Sequence, residues 1–245
     1  MTEVAPGVYR LGTRVVNWYL VKDGDAVTAV DAGLPGYGDT LESDLRSLGV
    51  EPGQVDAVVL THSDSDHTGL ATRLRDSGAR VLIHETDSAT LIKPGPKSGD
   101  AAPSKLLRQM WRPDMWRFMG HMARRGGAHP PSIEPDATFA DGEVLEVPGR
   151  PRVLHTPGHT SGHSAFLFAD RAVLFVGDAM CTWNPLTGGR TPQLMPRVMN
   201  EDNRACLASL DAIASSDATI LLPGHGDPWN GSAAEAAERA RAAAS

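Results

Sequence analysis

Four residues that can bind metal ions or exchange protons lie within THSDSDHTG, residues 61–69. They are His62, Asp64, Asp66 and His67. Side chains alternate in an extended segment, so positions 62, 64 and 66 would share one side and position 67 would face the other. One loop could thus serve two metal ions, since imidazole suits zinc or iron and carboxylates hold or bridge such ions. An isolated Asp66 could instead simply cap a helix.

Three further loops of this kind follow apolar segments later in the chain. They carry His159 in TPGHTSGH, Asp178 in VGDAM and His225 in LPGHGDP. Each lies beside a glycine, which permits a sharp loop at the end of a strand. If the strands belong to adjacent sheets, all four loops can open on one edge, and ligands of a metal ion must converge in this way. The set as a whole therefore predicts a metal site.

The elements that must position these loops form two β-rich halves, each ending in helices. Strands are predicted within 7–31 and at 56–61, 79–84, 143–147, 152–156, 163–170, 171–178 and 218–223, and helices at 37–48, 69–76, 201–214 and 232–243. Between about 93 and 136 a Pro/Gly loop and one or two short helices interrupt this order. We expect one α/β domain over 1–245, with two sheets packed face to face and flanked by helices.

Composition limits the class of protein. The chain has 245 residues, 41% hydrophobic and 22% charged, as expected for a globular protein with a real core. A net charge of -7 argues against a general nucleic-acid binder. Two cysteines form no framework, no apolar run could span a bilayer, and the N-terminus lacks the order of a signal peptide. The sequence thus predicts a soluble, cytoplasmic protein without membrane or nucleic-acid partners.

At this point the chain resembles the metallo-β-lactamase superfamily. The resemblance rests on THxxxDHTG at 61–69, TPGHTSGH at 156–163, GDA at 177–179, PGHG at 223–226 and DAGLPG at 31–36. It implies a four-layer αβ/βα sandwich with one or two divalent metal ions at one edge, zinc before others. It also implies a first ion held by His62, position 64 and His159, a second held by Asp66, His67 and His225, and Asp178 as the bridge. An Asp bridge is more similar to the glyoxalase-II, lactonase and esterase branches than to true β-lactamases, which usually carry Cys there.

Asp64 departs from the family's pattern, since HxDxDH stands here in place of HxHxDH. An anion in place of a neutral imidazole weakens the Lewis acid, and it favours iron or manganese at the first site more than His would. Asp is also shorter than His, so its carboxylate could fail to reach the first metal ion. The enzyme would then be mononuclear, with its ion at the second site. A third reading is a drifted ligand without functional meaning, because Asp is itself a competent metal ligand.

Residues around the ligands are expected to orient them or to contact the substrate. Asp31 resembles the family's acid near the site, and we expect it and Thr61 to position a ligand or loop. The insertion is the expected source of specificity. Candidate substrate-contacting residues are Trp111, Met115, Trp116, Phe118 and, outside the insertion, Trp183. The same apolar stripe could equally be internal packing or a homodimer interface.

The function that follows is metal-dependent hydrolysis. A metal-bound hydroxide would attack the carbonyl of an ester, a thioester or a lactone, and Asp66 would orient that nucleophile as well as bind metal. The partner expected is a small-molecule substrate, apolar in part. Two alternatives stay open: an iron-dependent oxidoreductase similar to persulfide dioxygenases, and a non-catalytic binding protein with a degraded metal site.

Overall fold

The structure is a computed structural model that describes residues 1–95, 99–101, 105, 107–128 and 130–244. Its first sheet has seven strands, which lie in chain order from one edge to the other. They are β1 Thr2–Ala5, β2 Val8–Gly12, β3 Asn17–Asp23, β4 Ala26–Val30, β5 Val55–Val59, β6 Arg80–His84 and β7 Ala137–Phe139. Neighbours pair antiparallel from β1 to β4 and parallel from β4 to β7.

The second sheet has five strands in the order β12-β11-β10-β9-β8. They are β8 Arg152–His155, β9 Ser164–Phe168, β10 Val173–Gly177, β11 Ile220–Pro223 and β12 Trp229–Asn230. Only β10 and β11 pair parallel, and the other neighbours are antiparallel. Parallel pairing brings the exits of β10 and β11 to the same edge, where two of the predicted loops begin.

Seven α-helices are found in the described part of the chain. They are α1 Gly38–Ser47, α2 Ser65–Thr68, α3 Ala71–Asp76, α4 Glu85–Ile92, α5 Pro113–Arg124, α6 Asn203–Ala214 and α7 Ala233–Ala244. The insertion thus contributes α5, which begins with a proline at its first position, where the missing N–H costs no helical hydrogen bond.

Three apolar clusters stack these elements into four layers. The middle cluster joins the inner faces of both sheets, and the Tyr19 and Phe175 rings meet across it edge to face, 5.2 Å apart. A second cluster packs α1 and α3 on the outer face of the seven-stranded sheet. A third packs α6 and α7 on the outer face of the five-stranded sheet. On β5, Val58 faces the helices while Val59 faces the other sheet, which explains its continuous apolar sequence. The expected αβ/βα sandwich is confirmed.

Residues 143–147 differ from the prediction of a strand. They form only an isolated bridge, between Val144 and Arg152. Pro148 follows directly, and it has no N–H to donate to a neighbouring strand. The chain then turns, because Gly149 and Arg150 adopt positive φ angles of 79° and 41°. The segment is therefore too short and too bent to extend β8's pairing.

Candidate metal centre

All four predicted loops meet at one edge of the sandwich, between the two sheets. β5 leads into the loop that carries His62 and Asp64 and then into α2. Gly177 of β10 pairs with Pro223 of β11, so Asp178 and His225 leave adjacent parallel strands side by side. His159 lies in the connection between β8 and β9. The first sheet thus supplies one set of side chains and the second sheet the other.

The seven His and Asp side chains fall into three overlapping groups. Within each group, the potential ligand atoms all lie within 4.8 Å of one another. These are His62, Asp64 and His159; His62, His67 and Asp178; and Asp66, His67 and His225. Two of the groups have the residues that the family resemblance places together. The Asp178 carboxylate lies between them, with one oxygen 3.5 Å from His67 Nε2 and the other 3.4 Å from His159 Nε2 and 3.1 Å from His225 Nε2.

Three buried atoms in this centre lack a hydrogen-bond partner among the described residues. They are His62 Nε2, His67 Nε2 and Asp178 Oδ1. Leaving a buried polar atom unsatisfied costs about 1–3 kcal/mol, so three at one point call for a shared partner. Imidazole nitrogens and carboxylate oxygens are a donor set that suits zinc, iron or manganese. The residues present therefore fit one or two divalent ions.

Asp64 reaches the centre. Its Oδ2 atom lies 3.1 Å from His159 Nε2 and 3.5 Å from His62 Nε2. It is the residue that precedes α2, yet its side chain makes no capping hydrogen bond to that helix. Asp66 lies in the first turn of α2 and is buried, with Oδ2 3.6 Å from His225 Nε2. Both carboxylates are thus directed at the imidazoles rather than used as helix caps.

Each of the four imidazoles is held by its other nitrogen. His67 Nδ1 lies 2.8 Å from Asp31 Oδ2, and His159 Nδ1 lies 3.0 Å from Asn200 Oδ1. His225 Nδ1 contacts the Val15 carbonyl. Anchoring Nδ1 in this way fixes the tautomer and leaves Nε2 available toward the centre, which is how protein metal sites orient histidine.

His62 is held through Thr61. The Thr61 hydroxyl lies 2.9 Å from Asp31 Oδ1 and 3.0 Å from His62 Nδ1. Because the single hydroxyl proton goes to the carboxylate, His62 Nδ1 donates to the hydroxyl oxygen. Asp31 also accepts from the Thr61 backbone N–H at 2.8 Å. Asp31 and Thr61 thus lie behind the imidazoles of His62 and His67.

Two residues in contact with the centre had no motif to reveal them. Asn200 lies 41 positions from His159, and nothing in the local sequence distinguishes it. Asp87, in α4, is buried and accepts from Ser63 N, from the Thr160 hydroxyl at 2.8 Å and from Gly162 N at 2.7 Å. Since Ser63 adjoins Asp64 and Thr160 adjoins His159, Asp87 ties two ligand loops from opposite sheets together.

The loop of His225 is fixed by the other end of the chain. The Asn17 side-chain amide donates to the Pro223 carbonyl at 2.9 Å and to the Gly226 carbonyl at 2.7 Å. Between them, a Cβ atom added at Gly224 would collide with the Asp178 carboxylate and the His67 ring. The glycine of the PGHG segment is therefore required for close approach of the backbone to the ligands.

Charge interactions are strong in this buried centre. Burial alone would lower the pKa of His67, but the carboxylates of Asp31 and Asp178 outweigh it and raise that pKa to about 10. Burial opposes ionisation of Asp178 too, yet the neighbouring imidazoles of His225 and His67 hold its pKa well below the usual value. Burial and nearby imidazoles lower the pKa of His163, so it stays neutral and its Nε2 accepts the Asp178 backbone N–H at 2.9 Å.

A cavity of about 530 Å³ opens over the ligands, and Asp64, Asp66, His159, Asp178 and His225 form part of its lining. This size falls within the range of about 300–1,000 Å³ found for small-molecule sites. Phe118 of α5 also lines it, with its ring 5.8 Å from that of His225. The insertion is attached to the ligand loop here, since the Ser65 hydroxyl donates to the Gly127 carbonyl at 2.7 Å.

The other four candidate substrate contacts lie away from this lining. Trp111 and Trp116 are 73% and 58% exposed on the surface of the insertion. Met115 is buried completely, on the face of α5 that packs inward. Trp183 is buried behind the centre, where its backbone N–H donates to the His225 carbonyl. Helical spacing separates Trp116 from Phe118, which are two residues apart on α5, whereas Met115 and Phe118 are three residues apart and share a face of the helix.

Known proteins share both the sequence and the architecture. A family model described as the metallo-beta-lactamase superfamily matches residues 11–225. The chain is similar to the probable metallo-hydrolase YflN of Bacillus subtilis, at 24% identity over 94% of this chain and 87% of YflN. It is also similar to the hydroxyacylglutathione hydrolase GloC of Haemophilus influenzae, at 27% identity over 69% of this chain and 68% of GloC.

Among solved structures, the chain is similar to a metallo-beta-lactamase family protein of Thermus thermophilus. The two share 29% sequence identity and superimpose with a TM-score of 0.70, which covers 99% of this chain and 80% of that one. Within the described residues, no helix is long and apolar enough to cross a membrane.

Proposed function

Because this chain belongs to the metallo-β-lactamase superfamily and is a metallo-hydrolase, we propose that it cleaves an ester, thioester or lactone bond of a small molecule. The observation that carries the proposal is the set of three buried, unsatisfied His and Asp atoms in a centre whose other ligands line a cavity of small-molecule size. The similarity to GloC, whose name describes hydrolysis of an acyl group from glutathione, supports a thioester among these bonds.

The residues of the centre would have separate roles in binding metal and in transferring a proton. His62, Asp64 and His159 would hold one ion, Asp66, His67 and His225 a second, and Asp178 would contact both. Divalent ions there, zinc or with Asp64 also iron or manganese, would acidify water and polarise the substrate carbonyl. Asp66 would accept a hydrogen bond from the attacking water and pass its proton to the leaving group.

The residues that hydrogen-bond to the imidazoles would keep the metal ligands in place during turnover. Asp31, Thr61 and Asn200 hold the imidazole rings, so the ring nitrogens need not reorganise when a substrate arrives. Such preorganisation is the main source of electrostatic stabilisation of a developing oxyanion. Phe118 would present an apolar ring beside His225 in the cavity.

The test pairs metal analysis of the purified protein with a hydrolysis screen. Bound zinc, iron or manganese and turnover of aryl esters, thioesters or lactones are expected. His225→Ala should abolish both the second equivalent of metal and turnover, whereas His155→Ala should leave both intact. His155 is a suitable control because its ring stacks on His84, 4.3 Å away, and belongs to none of the ligand groups. Oxygen consumption by an iron-loaded protein that hydrolyses nothing would overturn the proposal, as would a protein that neither binds metal nor turns over.

A further inference from the structure

The cavity over the metal centre has two apolar walls. One is formed by Phe118 and Met122 of α5, which are four residues apart and so lie on the same face of the helix. The other is formed by Met195, Val198 and Met199, in the segment between β10 and α6. The walls come from the insertion and from the second half of the chain, and the space that they line together with the metal ligands is called the apolar channel.

Charged groups are distributed unevenly around this cavity. Its carboxylates belong mainly to the floor, where Asp64, Asp66 and Asp178 lie among the imidazoles. Lys93 is the one lysine or arginine among the described residues of the lining, and its side chain is exposed at the end of α4. A substrate with several anionic groups would find little to neutralise them, whereas an apolar group is matched by both walls.

Methionine makes these walls adaptable. Three of the eight methionines in the chain, Met122, Met195 and Met199, line this one cavity. The unbranched, polarisable side chain of methionine fits irregular apolar shapes at small cost and recurs at sites that accept several ligands. The walls therefore suit a flexible chain of variable length better than one rigid shape.

From these walls we infer that the substrate carries an apolar chain of several carbon atoms, which lies between α5 and the 195–199 segment while the scissile carbonyl faces the metal centre. This inference rests on the proposed function and adds the class of substrate to it. Its chemistry is shared by a long acyl group and by a long alcohol or thiol leaving group, which the experiment distinguishes.

The experiment varies the chain on each side of the scissile bond. One series consists of p-nitrophenyl esters from acetate to decanoate, and the other of thioacetates of alkyl thiols from ethyl to decyl. In at least one series, kcat/KM should rise about fourfold for each methylene until the cavity is filled, as burial of a methylene group predicts. The series that rises identifies which side of the bond carries the chain. No rise in either series would overturn the inference.

Variants in the walls connect this preference to the residues. Met122→Ala and Met199→Ala should lower the ratio of long-chain to acetyl kcat/KM by about tenfold each. Met119→Ala is the matched control, since Met119 lies on the same helix, is exposed and is absent from the lining. Equal ratios in all three variants would count against the inference.

Binding without turnover separates the two proposals. Methyl ketones from butanone to undecanone have no leaving group, so their affinity, measured by calorimetry, depends on the chain and not on catalysis. Affinity that rises with chain length, and falls in Met199→Ala, supports the apolar channel even if no ester is hydrolysed. If the protein hydrolyses esters but its affinity for the ketones does not depend on chain length, the proposed function is supported and the inference of an apolar channel is contradicted.

Discussion

Asp31 Oδ2 lies 2.8 Å from His67 Nδ1, and the same carboxylate accepts the hydroxyl and the backbone N–H of Thr61, which in turn holds His62. One side chain therefore orients two imidazoles, of which His62 lies with Asp64 and His159, and His67 lies with Asp66 and His225. It does so from a left-handed backbone conformation with φ of 59°, which is unfavourable for a residue other than glycine by about 1 kcal/mol.

Asp31→Asn should weaken metal binding by about 10- to 100-fold, because an amide cannot accept from all the groups that the carboxylate holds. Competition against a zinc-chelating dye measures this affinity. Asp56→Asn is the matched control, since Asp56 lies on the neighbouring strand β5, accepts the Val27 N–H and belongs to none of the ligand groups among the described residues. Equal affinities for the two variants would contradict the role of Asp31.

Asp64→His should increase zinc uptake at the group formed with His62 and His159. An imidazole is a softer donor than a carboxylate and suits zinc better, and the Asp64 carboxylate already reaches 3.1 Å from His159 Nε2. Metal content after dialysis against limiting zinc, together with the hydrolysis rate, checks this. If both stay as in the natural protein, Asp64 has no influence on the first site.

Removal of metal should lower stability. Without an ion, His62 Nε2, His67 Nε2 and Asp178 Oδ1 stay buried and unsatisfied, so a chelator should lower the melting temperature. At free zinc about 100-fold above Kd, the difference should be about 3 kcal/mol. Differential scanning calorimetry with EDTA and after readdition of zinc gives the comparison. A melting temperature that does not respond to either would show that the centre holds no ion.

Asp87→Ala should destabilise the fold and disturb the first ligand group. It leaves the buried donors at Ser63, Thr160 and Gly162 without their acceptor, a loss of about 3 kcal/mol in the free energy of unfolding. Urea titration measures that loss, and metal analysis measures the effect on Asp64 and His159.

A control for Asp87→Ala is provided by Asp141→Ala. Among the residues that the structure describes, Asp141 accepts one exposed hydrogen bond, from the His155 backbone N–H, so this change should cost less than about 1 kcal/mol. Metal content should stay unchanged in this variant. Similar losses in the two variants would show that Asp87 contributes no more than an ordinary surface acceptor.

The ligand loops could be predicted from the sequence because each has its chemistry within a few residues of an apolar strand. His62, His159, Asp178 and His225 all follow this pattern, and the strands before His62, Asp178 and His225 are largely buried, as expected. The residues that orient the ligands were harder to predict from the sequence. Asn200 and Asp87 act across 41 and more than 70 positions, and such pairings follow from packing of the whole chain.

The insertion shows a second limit of prediction. Four of its residues were named as candidate substrate contacts, yet of Trp111, Met115, Trp116 and Phe118 only Phe118 lines the cavity over the metal centre. Helical phase accounts for Trp116, whereas Met115 shares a face with Phe118 but is buried completely, and Trp111 and Trp183 lie outside α5. Met122, Met195 and Met199 escaped attention because an isolated methionine carries no sequence signal of a cavity wall.

The bond from Asn17 to the carbonyls of Pro223 and Gly226 has a consequence for biosynthesis. Asn17 leaves the ribosome more than 200 residues before its partners, so these hydrogen bonds of β3 form only after β11 has emerged. Until then, the group of Asp66, His67 and His225 lacks its last side chain, whereas the group of His62, Asp64 and His159 is already complete. The two groups therefore become available to a metal ion at different stages of synthesis.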